Sequence, residues 1–285
     1  NFSVAAKHLF ITQSTLSQQI KQLEYELGFE LFLRNSRHIQ LTEAGEEFLP
    51  FARKTILDAE DAVQRLHDLQ HVKVGTLRVG VTYSLSTVLT EGLICFMKEF
   101  PDVKLKVFYK TVDELLTLLR ERKVDLVLSY KPLCEAADIE SMPLFENALA
   151  LVVSKEHPLA KRAKIKLKEL EGLPLILPSE GLQARMMLDR LLEGNDVSLV
   201  SKLELNETNI LLQMVATGNY ATILSALALF VKTRFKAIPL DEPGIVMEAS
   251  LLSLKGAYQK SAAREFIGIL MNTEAVKRRL INMFE

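Results

Sequence analysis

Leu16, Ile20, Leu23 and Leu27 recur at spacings of four, three and four, the single apolar stripe of an amphipathic helix. The spacing predicts a helix over Gln13 to Leu27. Thr12 is placed to cap its start, with Ile11 and Leu16 as a hydrophobic staple. Gly28 suits the left-handed residue that ends it. Upstream, Ser3 to Leu9 reads as a short helix capped by Ser3, and Phe10-Ile11 as a tight turn. Two short helices joined in this way make a helix-turn-helix. Phe29 to Leu41 reads as strand, basic turn and strand, a β-hairpin wing. From Thr42 a seam of Phe48, Ala52, Ile56, Ala59, Val63 and Leu66 predicts a helix from about Glu43 to His71, bent by Pro50 in its early turns.

After Gly75 the pattern becomes one of alternating strands and helices. Strands are predicted over 76–82, 104–109 and 124–129, with helices over 85–100 and 112–122. A second run places strands over 173–177, 199–203 and 220–224 and helices over 182–193 and 206–217. Strand 245–254 and helices from 262 onward close the chain. This order predicts an α/β fold with βαβ units and a parallel sheet. Leu149 to Val153 is a strand placed to cross between two lobes, one of about 75–148 and 252–285, the other of about 149–251. The expected organisation is a winged helix-turn-helix over 1–42, a linker and dimerisation helix over 43–72, and a two-lobed domain with a cleft over 75–285. Asn1 and Phe2 read as the middle of an element, so the first domain is expected to lack its first helix.

The bulk numbers change this picture little. The 285 residues carry a net charge of −1, so any anionic partner must be met by a local patch. Residues 1–40 hold four Lys/Arg against three Asp/Glu, and residues 41–72 three against seven. The long helix is therefore not expected to lie along DNA; its apolar seam calls for a second copy of the chain. Two distant cysteines, Cys95 and Cys134, fit a reducing compartment. With no apolar run near the ~20 residues that span a bilayer and no signal-peptide pattern, no membrane partner is expected and the cytoplasm is the expected location.

The chemistry concentrates at two places. From Gln13 to Gln22 the polar face of the second helix carries hydroxyls, amides and Lys21, and the first acid is Glu24. Ser14, Gln18, Lys21 and Gln22 lie opposite the apolar stripe, with Gln13, Thr15 and Ser17 at its flanks. Such side chains hydrogen-bond base edges and phosphates, whereas a carboxylate would be repelled. Arg34 and Arg37 on the wing are placed to grip phosphate. The second place is the set of strand ends bordering the cleft, where open α/β sheets bind ligands: Thr82, Tyr83, Ser84, Thr111, Ser129, Tyr130 and Ser179. Their hydroxyls and nearby helix-start amides suit a small carboxylate or other anion; taken singly, each reads first as an ordinary N-cap, and the ligand reading rests on the convergence of several strand ends on one cleft. Dinucleotide, Walker, zincin and nucleophile-elbow motifs are lacking, so no enzyme and no cofactor is expected. Cys95 is expected in the core. Cys134 leaves redox sensing open, and His67 with His71 could reach a metal only with a third ligand.

Phe2-Ser3-Val4-Ala5-Ala6, Thr12-Gln13-Ser14-Thr15-Leu16-Ser17, Ile20-Lys21-Gln22-Leu23-Glu24, Leu27-Gly28, Leu31-Phe32 and Leu41-Thr42-Glu43-Ala44-Gly45 together resemble the LysR-type transcriptional regulators. The likeness continues in Gly75-Thr76-Leu77-Arg78-Val79-Gly80 and Val215-Ala216-Thr217-Gly218. It implies a winged helix-turn-helix, a linker helix that dimerises, and a two-lobed effector domain like the periplasmic binding proteins. It implies a bacterial homotetramer that binds double-stranded promoter DNA and is switched by a small metabolite. By motif position Gln13, Ser14, Ser17 and Gln18 would face the groove, and Ser84 and Thr111 would touch the effector. Gln18 stands where many relatives have Arg. Gly218-Asn219-Tyr220-Ala221 replaces the usual Gly-x-Gly-Ile. Cys95 and Cys134 do not match the paired cysteines of the peroxide-sensing branch. The competing reading is a solute-binding or enzymatic α/β protein whose N-terminal helices serve only assembly.

Overall fold

The computed structural model describes residues 1–34, 39–69, 75–132, 136–229, 234–243, 245–274 and 276–277. The chain divides into two units, Asn1–His67 and Asp68–Glu285.

The first unit opens with α1 (Phe2–His8) and α2 (Gln13–Leu27). Thr12 caps α2, its hydroxyl accepting from Thr15 N at 3.1 Å, and Gly28 ends it at φ 74°. Asn1, not Ser3, caps α1: its side chain accepts from Ser3 N at 2.9 Å, and Ser3 lies inside the helix. Of the expected stripe on α2 only Leu16 is fully buried, and Leu27 is exposed. Strands β1 (Phe32–Arg34) and β2 (Ile39–Leu41) pair antiparallel as the wing. The long helix α3 (Glu43–Leu69) contains Pro50. Its seam is half-buried at Phe48 and Ala52 and exposed from Ile56 onward, at Ala59, Val63 and Leu66.

In the second unit, β3 (Gly75–Val81), α4 (Ser86–Glu99), β4 (Val103–Tyr109), α5 (Val112–Arg120) and β5 (Leu126–Tyr130) build the first lobe. β3 pairs parallel with β4 and β5. All five residues of β5 are buried, because α4 packs on one face of the sheet and α5 on the other. That explains the unbroken apolar run where a one-sided strand would alternate. Each such Leu or Val contributes about 1.5–3 kcal/mol by leaving water. The chain then crosses on β6 (Ile139–Ser154) into the second lobe of β7 (Leu175–Pro178), α6 (Gln183–Glu193), β8 (Ser201–Leu205), α7 (Thr208–Val215), β9 (Thr222–Ser225) and β10 (Phe235–Pro239). It returns on β11 (Val246–Leu254) and ends with α8 (Ser261–Asn272) on the first lobe.

The sheets are mixed, not parallel as expected. β7 and β8 are parallel, but β6, β9, β10 and β11 pair antiparallel. The physical reason is the pair of crossing strands, which enter each lobe from the opposite direction. β6 bonds to β11 through residues 139–148 and to β9 and β10 through residues 149–154. β11 already pairs with β5 at Ala249, so the chain rejoins the first lobe before residue 252.

Cys95 is exposed, not in the core. On α4 the buried face is Val88, Leu89, Gly92 and Phe96, where the missing side chain of Gly92 lets Leu270 of α8 approach. Ile94 and Met97 face outward with Cys95. Among the described residues no helix is long and apolar enough to cross a membrane.

Candidate functional site

The exposed face of α2 is built from its start. Thr12 is the N-cap, and its hydroxyl also lies 2.8 Å from the hydroxyls of Ser14 and Thr15. Gln13 accepts from Ser3 Oγ at 3.3 Å, and Gln22 donates to Glu26 at 2.8 Å. Ser17 is half-buried; Gln18 and Lys21 are exposed. Glu24, the first acid of α2, turns away into the wing: its Oε1 accepts from Leu31 N at 2.9 Å and Phe32 N at 3.1 Å. The first carboxylate of α2 thus serves as a structural acceptor, and Glu26, bonded to Gln22, lies at the far end of the polar face. Arg37, His38, His71 and Cys134 lie outside the described residues, as do the side chains of Arg34 and His67.

Between the lobes of the second unit lies a cavity of about 280 Å³. Four helix starts meet it, and they are not alike. At α5 a capping box is closed: Thr111 Oγ1 accepts from Glu114 N, and Glu114 accepts from Thr111 N at 3.0 Å. Lys110 pairs with Glu114 at 3.1 Å. At α7 the carboxylate of Glu207 caps the helix, accepting from Asn209 N at 3.2 Å. The other two starts have no side-chain cap: the short 3-10 turn Tyr83–Leu85 that leads into α4, and α6, preceded by Leu182. First-turn amides of this kind carry a partial positive charge. Tyr83 spans the lobes, its hydroxyl bonded to the Asn209 amide. Burial and then the adjacent Glu207 carboxylate push the Tyr83 phenol above its ordinary value, so it remains a donor. Tyr109 stands beside it with ring centroids 5.7 Å apart.

Thr82, Tyr83, Ser84 and Thr111 all line this cavity. Ser129, Tyr130 and Ser179 do not. Ser129 is fully buried, and its hydroxyl donates to Tyr130 O at 3.0 Å. Tyr130 reaches the other way: its hydroxyl lies 2.7 Å from Ser225 Oγ, and it lines a second cavity of about 840 Å³ between α5 and α6. Ser179 is held away by the bond from its amide to Leu205 O at 2.8 Å. Ser129 and Tyr130 are adjacent and both miss the cavity, because the Ser129 hydroxyl is turned onto the Tyr130 carbonyl and the Tyr130 hydroxyl onto Ser225. Sequence reasoning missed Tyr109, Lys110, Glu114, Gln183, Asn206 and Glu207. The T-x-x-E spacing of Thr111 and Glu114 was a readable capping-box signal.

Comparison with known proteins matches residues 1–46 to a family model described as bacterial regulatory helix-turn-helix protein, lysR family, and residues 70–274 to the LysR substrate binding domain. The HTH-type transcriptional activator CmpR of Synechocystis is 32% identical over 80% of this chain and 75% of its own length. A full-length OxyR variant from Pseudomonas aeruginosa superposes with a TM-score of 0.73 at 22% identity, over 97% of this chain and 91% of that one. The effector binding domain of QuiR in complex with shikimate gives 0.61 at 22% identity, over 72% of this chain and 98% of that one.

Proposed function

We propose, from the premise that this chain belongs to the LysR family of DNA-binding transcriptional regulators, that α2 reads promoter DNA and that the cavity between the lobes takes the effector. The observation that carries the first half is the α2 face from Gln13 to Gln22, which holds no acid, with Gln18 and Lys21 exposed and Glu24 turned inward. In a helix-turn-helix this helix enters the major groove. Gln13, Ser14, Thr15, Ser17 and Gln22 border the same face, and Arg34 and Arg37 on the wing add phosphate contacts. The exposed apolar residues Ile56, Val63 and Leu66 of α3 support a homodimer through that helix, and pairs of dimers a homotetramer. The effector is a small molecule with a carboxylate or other anionic group, met by the uncapped helix starts and by Ser84.

Fluorescence anisotropy with duplexes from upstream of the protein's own gene tests this reading. Salt-dependent preference for one such duplex over a scrambled one is expected. Equal, weak binding to both at low salt would overturn it. The enzymatic alternative predicts substrate turnover with no duplex preference.

A further inference from the structure

The two kinds of helix start in the cavity ask for two kinds of charge on one ligand. The starts at Ser84 and at α6 are bare; those of α5 and α7 already hold carboxylates. An anion has room only at the bare pair. Thr82 marks that end independently: it lines the cavity, is 7% exposed, and its hydroxyl has no protein partner. A buried hydroxyl left unpaired costs free energy that a ligand acceptor would recover.

The acids do not balance out. Lys110 is engaged by Glu114. Glu207 has no cation within ion-pair distance among the described residues; it accepts from the Asn209 amide and the Tyr83 hydroxyl. Tyr83 and Tyr109 line the same cavity; a carboxylate with aromatic rings nearby attracts a cation by charge and by the ring quadrupole. A purely anionic ligand would sit in this small space against an uncompensated carboxylate.

Building on the cleft as effector site, we propose that the effector is a zwitterion of the amino-acid class. Its carboxylate lies at Thr82, Ser84 and the start of α6, and its ammonium at Glu207 beside the Tyr83 hydroxyl. The cavity of about 280 Å³ is at the small end of the usual ~300–1,000 Å³ for ligand sites, which suits a single amino acid or a close derivative.

The test uses the full chain and three matched series: the common amino acids, the same skeletons without the amino group, and the same skeletons without the carboxylate. Calorimetric affinity is measured for wild type, Glu207→Gln and Ser84→Ala. Glu207→Gln keeps an acceptor for the Asn209 amide, so the cap survives while the charge is lost. An amino acid is expected to bind best, and each variant to weaken it about tenfold or more. Desamino acids that bind as well, lose affinity in Ser84→Ala and are untouched by Glu207→Gln would overturn the zwitterion while keeping the cleft. Binding unchanged in both variants would overturn the cleft itself. Binding by no member of any series would overturn the zwitterion.

Discussion

Gln183, the first residue of α6, grips the end of β5 through the backbone of Tyr130. Its Nε2 donates to Tyr130 O at 2.7 Å, and its Oε1 accepts from Tyr130 N at 3.2 Å. One amide side chain in the second lobe thus completes the backbone pairing of a strand in the first. Gln183 also lines both interlobe cavities, so it forms part of the wall between them.

Gln183→Ala removes both bonds: the Tyr130 amide loses the Gln183 acceptor, and its carbonyl loses one of two donors and keeps the Ser129 hydroxyl. The expected cost is about 1–3 kcal/mol, read as a fall in melting temperature of about 2–4 °C per kcal/mol for a domain of this size. Faster hydrogen exchange at Tyr130 would accompany it. An unchanged melting temperature and unchanged exchange would show that the clasp does not hold the lobes.

Gly45→Ala is expected to break the joint between α3 and the wing. A Cβ there would stand 2.1 Å from Leu31 O and 3.1 Å from Leu41 Cδ2. The same joint is tied by Thr42, which accepts from Gly45 N at 2.9 Å and donates to Glu30 O at 2.6 Å. Because the obstacle is backbone, the cost is about 1–3 kcal/mol or more. Circular dichroism should show the helices of the second unit intact while duplex binding falls.

Lys21→Ala and Gln18→Ala should separate positioning from reading. Loss of Lys21 is expected to weaken all duplexes alike and lower the salt slope by about one. Loss of Gln18 is expected to reduce discrimination at one base pair by about 1–3 kcal/mol. Anisotropy against single-base operator variants at several salt concentrations measures both. Swapped behaviour would mean that the two side chains occupy different grooves or registers from those proposed.

Glu114→Ala opens the capping box of α5. The Glu114 carboxyl sits below its ordinary value of 4.5, chiefly through the bond from the Thr111 amide and then through Lys110. Its contribution is therefore present above that value and lost as pH falls through the lower folded-state value. With a half-exposed side chain the cost at neutral pH is expected at about 0.5–1 kcal/mol. Melting curves of wild type and variant should converge as pH falls through that lowered value; a constant gap across pH would exclude the carboxylate as its source.

The elements most legible in the sequence are those whose apolar residues repeat at one period. α2, α3 and the strands and helices of 75–130 fall close to where periodicity puts them. The first half of β6 was not readable, because Ile139-Glu140-Ser141-Met142-Pro143 mixes polar residues with a proline that usually argues against a strand. β10 (Phe235–Pro239) is short and also ends in proline. Cys95 was misplaced because α4 is apolar around most of its circumference, so composition alone does not say which face turns inward. In the cleft, hydroxyls at strand ends drew attention while the partners that complete the site stood at helix starts further along the chain. Gln183 and Glu207 each follow a segment with no catalytic or metal-binding motif, and only folding brings them beside Tyr83 and Tyr130.

The sixteen residues of β6 belong to two ladders at once. No slack loop separates Ala148, bonded toward the first lobe, from Leu149, bonded toward the second. Any change in the angle between the lobes is therefore taken up within the backbone of β6 itself, already held by ladders on both sides of that junction.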